Sequence, residues 1–104
     1  MDELEQLIAE ARALLQETAT AGGSADASRL RDLARRAATV REEVETVSIG
    51  LPDVTAAGHL TDALAALQLS LRAFEAGEEE RASDNWEQAG YYLSAAEQTG
   101  GGAG

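Results

Sequence analysis

The sequence predicts an all-α protein, an antiparallel four-helix bundle built from two helical hairpins. Apolar residues recur in alternating steps of three and four, and three breaks divide that pattern into four segments. A helix with a single apolar stripe is marginal alone in water, so each helix must bury its stripe against the others. We assign residues 1–98 to the bundle and the glycine-rich residues 99–104 to a disordered tail.

The first two helices are predicted to form a hairpin. The first runs from Asp2 to Thr20, and the second from Ser24 or Asp26, either of which can cap it, to about Val47. The stripe of the second helix is continuous and consists of Leu30, Leu33, Ala37, Val40, Val44 and Val47. Charged residues flank these stripes, and we expect the two flanks to meet across the hairpin. The residues concerned are Glu3, Glu10 and Glu17 on the first helix and Arg29 and Arg36 on the second.

The second break contains Gly50 and Pro52, neither of which continues a helix well. We expect the neighbouring Ile49 and Leu51 to fold back onto the core. A third helix is predicted from Val54 to Ala76, capped by Asp53 or Thr55. It is apolar on two sides, since Ala65, Leu69 and Ala73 lie nearly opposite its main stripe, and this predicts the central helix of the bundle.

The third break is placed at Gly77, so that the fourth helix starts at Glu78, with Asp84 as the alternative start. Uninterrupted helix would carry Glu78 and Asn85 into the core, where an unpaired charge is costly. The side of the fourth helix that we expect to be buried consists of Ala82, Trp86, Ala89, Tyr92, Leu93 and Ala96.

The segment around this break resembles the inner turn of a tetratricopeptide repeat. The resemblance rests on the spacing of a turn glycine, small residues and an aromatic residue, and it covers about residues 66–94. The matching residues are Ser70, Gly77, Ala82, Trp86 and Ala89. The resemblance implies a helical hairpin in which small residues let two helices approach while Trp86 fills the space between them. It covers one repeat and implies no ligand-binding residues.

The charge of the chain restricts its partners. With 19 acidic and 8 basic residues, the net charge is −11, which disfavours nucleic acid and anionic membranes as direct ligands. The chain has no cysteine, no long apolar run and an acidic start, which predicts a cytoplasmic protein without disulfides or a membrane span. Abundant alanine, with arginine in place of lysine, is typical of a GC-rich bacterial genome.

Residues that could carry chemistry are scarce. His59 is the only histidine, and without cysteine or a second histidine it cannot build an ordinary zinc site. A di-metal carboxylate centre would need Glu-x-x-His pairs, and the sequence contains none. We therefore expect no enzyme activity, no catalytic or metal-binding residues and no cofactor.

Protein–protein interaction is the predicted function, with another protein or a second copy of the chain as partner. Tyr91 should be exposed because it lies about 100° around the helix from Tyr92. Exposed aromatic residues are common in interfaces, and an acidic end could add affinity for a basic partner. The candidate contact residues are Leu69, Tyr91, Glu78, Glu79, Glu80 and Asp84. Two alternatives remain open: an acidic nucleic-acid mimic that blocks a basic site, and a small-molecule carrier with a cavity in the bundle core.

Overall fold

The computed structural model describes residues 3–22, 26–51 and 53–101. They form four helices, α1 (Glu3–Ala21), α2 (Ala27–Ser48), α3 (Thr55–Glu75) and α4 (Glu79–Gly101), and the described ranges contain no strand. The molecule measures 41 × 20 × 18 Å, so the helices lie side by side along its long axis. This arrangement confirms the predicted all-α bundle.

Polar contacts between helices show that neighbours run antiparallel. Helix α1 packs against α2 and α4, and α3 packs against the same two helices, most extensively against α4. Arg36 in the first half of α2 pairs with Glu17 near the end of α1, and Arg31, closer to the start of α2, pairs with Glu75 at the end of α3. Helices α1 and α4 are antiparallel because Leu15 of α1 contacts Trp86, whereas the earlier Arg12 pairs with the later Glu97.

The core is built mainly from leucine and alanine, and α3 supplies the largest share of it. Ten residues of α3 between Ala56 and Ala73 are buried, and the helix contacts all three others. The prediction that this helix is central is therefore confirmed. Its small residues allow close packing, and the buried Ser70 donates a 2.7 Å hydrogen bond to the carbonyl oxygen of Ala82 in α4.

Capping groups define the first and third predicted breaks, but the prediction that Asp53 or Thr55 caps α3 is wrong, because the N-cap is Val54 and has no side-chain cap bond. The Asp26 side chain accepts a 2.8 Å hydrogen bond from the amide of Arg29 and caps α2, while the alternative cap, Ser24, lies outside the described residues. Gly77 has a φ of +79°, and the amide of Glu78 donates to the carbonyl of Ala73 across this turn. These bonds satisfy the free carbonyls at the end of α3, so the break falls at Gly77, and α4 begins at Glu79, near the predicted Glu78 and not at Asp84.

The second break corrects one expectation. Ile49 was expected to pack onto the core, but its side chain is 86% exposed, whereas Leu51 is half-buried and packs against the core. Helix α2 continues to Ser48 and ends in a tight turn in which the amide of Gly50 donates to the carbonyl of Val47. Leu51 therefore follows Val47 by four residues and extends the apolar stripe, while Ile49 lies two residues off it.

The C-terminal helix also runs further than expected. The predicted tail starts at Thr99, but α4 continues to Gly101, and the Thr99 hydroxyl donates to the carbonyl of Ala95 at 2.8 Å. Leu93 and Ala96 are buried just before this point, and a helix anchored there extends easily by a few residues. Residues 102–104 of the predicted tail lie outside the described residues.

Candidate functional site

The outer face of α4 carries the most exposed aromatic side chain. Tyr91 is 75% exposed, as predicted, while its neighbour Tyr92 is half-buried against the core. The two rings meet edge to face, with centroids 5.9 Å apart. Because Tyr92 packs against the core and contacts the Tyr91 ring, it supports that ring from one side.

Three acidic residues share this outer face with Tyr91. Glu80, Asp84 and Glu87 precede it by eleven, seven and four residues, spacings that return to one side of a helix, and all three are exposed. The buried side of α4 carries Ala82, Ala89, Leu93 and Ala96. The exposed face of α4 is therefore a strip of carboxylates that ends in an aromatic ring.

At the start of α4 the predicted acidic residues come together. Glu78, Glu79, Glu80 and Asp84 surround an open depression of about 490 Å³ with Arg81. Arg81 lies 3.4 Å from the Glu78 carboxylate and offsets part of this charge. In the described residues, no group of three or more His, Cys, Asp or Glu side chains is arranged to hold a metal ion. The depression is thus an acidic surface next to the helix start, where negative charge is favourable.

Leu69, the remaining candidate, lies on α3 and is 52% exposed. The hydrogen bond from Ser70 to Ala82 fixes the register of α3 against α4 and puts Leu69 nearly level with Ser83. Tyr91 lies eight residues further along α4, about 12 Å along the axis at 1.5 Å per residue. The two side chains therefore belong to adjacent helices but sit at different heights, within the span of a single protein interface.

The half-buried Trp86 joins α4 to α1. Its indole N–H donates a 2.9 Å hydrogen bond to the carbonyl oxygen of Leu15. The resemblance to a tetratricopeptide repeat implies a tryptophan between the two helices of its hairpin, whereas here the indole reaches a third helix. The predicted hairpin at Gly77 and the buried small residues Ala82 and Ala89 are nevertheless present.

A void in the interior of the bundle is small. It is lined by Ala11, Leu15, Ala63, Leu67 and other apolar core residues and has a volume of about 10 Å³, near that of a single water. No buried side-chain nitrogen or oxygen among the described residues lacks a hydrogen-bond partner. A void of this size is too small for a small-molecule ligand, so it gives no support to the alternative of a small-molecule carrier.

Sequence reasoning missed a groove between α1 and α2. The predicted pairing of flanks holds at one point, where Arg36 and Glu17 lie 3.0 Å apart. Continuing that antiparallel register by seven residues sets Glu10 opposite Glu43, so that two acids face each other where a glutamate–arginine pair was expected. Both residues line two adjoining hollows of about 600 and 420 Å³. The heptad spacing of the glutamates, read through this register, was the signal that could have revealed the groove.

Comparisons with known proteins found no similar protein from which a function could be inferred. No protein-family model matches the sequence, and neither the curated proteins nor the solved structures include a significant match. In the described part of the chain, no helix has the length and apolar character needed to cross a membrane.

Proposed function

We propose that this protein is a non-catalytic interaction module that binds a partner protein through the outer face of α4. The observation that carries the proposal is the supported, 75% exposed ring of Tyr91 at the end of an acidic strip. Leu69 on the neighbouring α3 adds a second exposed apolar side chain within reach of the same partner. We further propose a cytoplasmic setting, in line with the absence of cysteine.

The chemistry of this face indicates the partner. A tyrosine ring loses little conformational entropy on binding and buries a large area, so it is a common anchor in interfaces. Glu80, Asp84 and Glu87 would attract a basic surface and speed its association, and their effect would weaken with salt. The partner surface should therefore present a pocket for an aromatic ring, bordered by lysine or arginine.

A catalytic role has little support in the described residues. His59 is half-buried near the start of α3, and no cluster of ligating side chains lies in the described ranges. Serine or threonine nucleophiles would need a base nearby, and His59 is the only imidazole in the chain.

The experiment compares substitutions of three exposed large hydrophobic residues. Tagged wild-type protein and the variants Tyr91→Asp, Leu69→Asp and Ile49→Asp are used to capture partners from an extract of the source organism, and purified partners are then titrated by calorimetry. We expect Tyr91→Asp to weaken binding by at least about tenfold, the size of effect typical of an interface anchor. Leu69→Asp should weaken it less, because Leu69 lies at the margin of the face.

Ile49→Asp is the matched control, since Ile49 is exposed and apolar but lies in the α2–α3 turn. It should leave the affinity unchanged. Equal losses for Ile49→Asp and Tyr91→Asp, or no loss for Tyr91→Asp, would contradict the proposed face. A captured partner that duplex DNA displaces would favour the alternative of an acidic nucleic-acid mimic.

A further inference from the structure

A groove runs along the seam between α1 and α2, on helices that the proposed α4 face does not use. We call it the α1–α2 groove. It consists of the two adjoining hollows, which together extend from Glu3 to Leu14 on α1, or about 17 Å at 1.5 Å per residue. Apolar side chains form its floor, with Leu7 and the half-buried Val47 in one hollow and Leu14 and Val40 in the other.

The rims of this groove carry like charges. Glu3 and Glu10 stand on the α1 side, and Glu42 and Glu43 stand on the α2 side. The basic residues of the groove lie at its other end, where Arg35 and Arg36 line the smaller hollow and Arg36 pairs with Glu17. The other ion pairs of the described residues, with Glu75, Glu78 and Glu97, lie outside the groove. Carboxylates that face each other repel, and this repulsion is relieved when a cation comes between them.

Polar side chains bridge the seam between α1 and α4 and the seam between α2 and α3. Among the described residues, no ion pair bridges the acidic end of the seam between α1 and α2. Arg12 and Trp86 link α1 to α4, and Arg41, whose guanidinium donates to the side-chain oxygen of Gln68 at 3.2 Å, links α2 to α3. Between α1 and α2, the ion pair of Arg36 with Glu17 lies at the basic end of the groove. The acidic part of the seam is therefore lined by exposed carboxylates over an apolar floor.

We propose that the α1–α2 groove binds a cationic amphipathic helix of a partner protein. The groove length matches about three helical turns, enough for apolar anchors at positions i, i+4 and i+7 of the incoming helix. Lysine or arginine beside those anchors would reach the four rim glutamates, while Arg35 at the other end would favour an acidic residue there. This surface is separate from the α4 face, so the inference goes beyond the function proposed above.

Charge complementarity favours such a helix over a second copy of this chain. Each copy carries a net charge of −11, so two copies repel each other at long range. The groove itself is acidic at the end where its larger hollow lies. A cationic segment gains attraction from both the local rims and the whole molecule.

The test uses the full chain and a synthetic helix-forming peptide of about 14 residues, with leucines on one face and lysines on the others. Binding is measured by calorimetry, and its location by the amide NMR signals of the protein. We expect shifts in residues 3–14 and 35–47, little change around Tyr91, and affinity about tenfold lower when salt rises from about 20 to about 200 mM. A peptide with glutamate in place of lysine should not bind.

Two double variants separate the groove from overall charge. Glu10→Gln with Glu43→Gln removes two rim carboxylates and should weaken binding by about tenfold. Glu5→Gln with Asp32→Asn removes the same charge from exposed positions of the same helices outside the groove, and the affinity should stay within about twofold. Circular dichroism verifies that each variant folds.

Three results would overturn the inference: equal losses for both double variants, peptide-induced shifts confined to other helices, or concentration-dependent shifts in the groove without peptide. The last result would mean that a second copy occupies the groove. Failure here would leave the α4 proposal intact, because that proposal is judged by Tyr91→Asp and a different set of signals.

Discussion

Two glycines of this chain should respond to alanine in opposite ways. Gly77 has a φ of +79°, a conformation that costs an L-residue about 1 kcal/mol, although nothing lies within 4 Å of the position of an added Cβ. Gly58 lies inside α3 with equally open space and ordinary helical φ, so alanine there should stabilise by roughly 0.5–1 kcal/mol. Urea denaturation of Gly77→Ala and Gly58→Ala measures both effects. Stabilisation by Gly77→Ala would contradict the left-handed turn.

Asp53 lies just before the N-cap of α3, Val54, and makes pH-dependent hydrogen bonds with the first residue of the helix. Its carboxylate accepts a 2.7 Å hydrogen bond from the Thr55 hydroxyl and a 2.9 Å bond from the Thr55 amide, and these bonds lower the pKa of Asp53 below its ordinary value of 3.8. A lowered folded-state pKa contributes stability that is present above the ordinary value and is lost as the pH falls through the lowered one.

We expect the stability advantage of wild type over Asp53→Ala to shrink over that pH range. Denaturation at several pH values between about 5 and 2 measures the difference. Thr55→Val is the matched variant that removes the hydroxyl donor, and it should bring the carboxyl pKa, followed by NMR, back toward 3.8. An unchanged pKa in Thr55→Val would refute the assigned cause.

At the scale of whole helices, three successive carbonyls of α1 accept side-chain hydrogen bonds, and the last of them, that of Gln16, accepts from the exposed Thr20 hydroxyl. The buried Thr18 hydroxyl donates to the carbonyl of Leu14 at 2.8 Å, and the indole of Trp86 donates to that of Leu15 at 2.9 Å. The second bond joins α1 to α4. Trp86→Phe keeps an aromatic ring but removes the donor, and we expect a loss of about 1 kcal/mol in the free energy of unfolding. Circular dichroism during denaturation measures it, and a neutral effect would show that the bond contributes nothing.

The element order follows from patterns that burial enforces locally. The stripe from Leu30 to Val47 fixes which side of α2 faces inward, and an apolar residue at every third or fourth position leaves few alternatives. Gly77 marks the α3–α4 break because its backbone conformation suits glycine above other residues. Asp26 likewise marks the start of α2 by capping it. These features depend on near neighbours in the chain, and so they could be predicted.

Features set by register between helices were not predicted. Ile49 is apolar and was therefore expected in the core, but α2 continues one residue further, to Ser48, and Ile49 lies two positions past the last stripe residue, Val47, where it is exposed. The groove between α1 and α2 depends on the pairing of Arg36 with Glu17, which decides that Glu10 faces Glu43. Composition alone does not select among registers that differ by a turn, because exposed ion pairs contribute only about 0.2–1 kcal/mol.

Taken whole, the molecule carries the two proposed contact surfaces on two different pairs of helices. Tyr91 and Leu69 lie on α4 and α3, whereas the groove lies between α1 and α2. In a bundle of this order, with α1 and α2 adjacent and α3 and α4 adjacent, these surfaces fall on different sides. One chain could therefore hold two partners at once, which is the geometry that an adaptor needs.

The net charge of the whole molecule should make its thermal stability depend on salt. With a net charge of −11, carboxylates repel one another throughout the folded protein. Salt at 0.1 M largely screens the repulsion between exposed charges that lie more than about 10 Å apart. The melting temperature should therefore rise as sodium chloride is added. A falling melting temperature would mean that the three ion pairs between helices of the described residues, with the local pair of Arg81 and Glu78, outweigh the general repulsion.

Reversing one charge distinguishes repulsion between two facing carboxylates from repulsion due to the net charge of the whole molecule. Glu43→Arg sets a cation opposite Glu10 and changes the net charge from −11 to −9, so at low salt we expect a gain of about 0.5–1 kcal/mol and a weaker response to salt. Glu45→Arg makes the same change of charge at an exposed position of α2 that does not line the groove. If facing carboxylates are what destabilise this seam, Glu43→Arg must stabilise more than Glu45→Arg, and an equal gain would assign the effect to net charge alone.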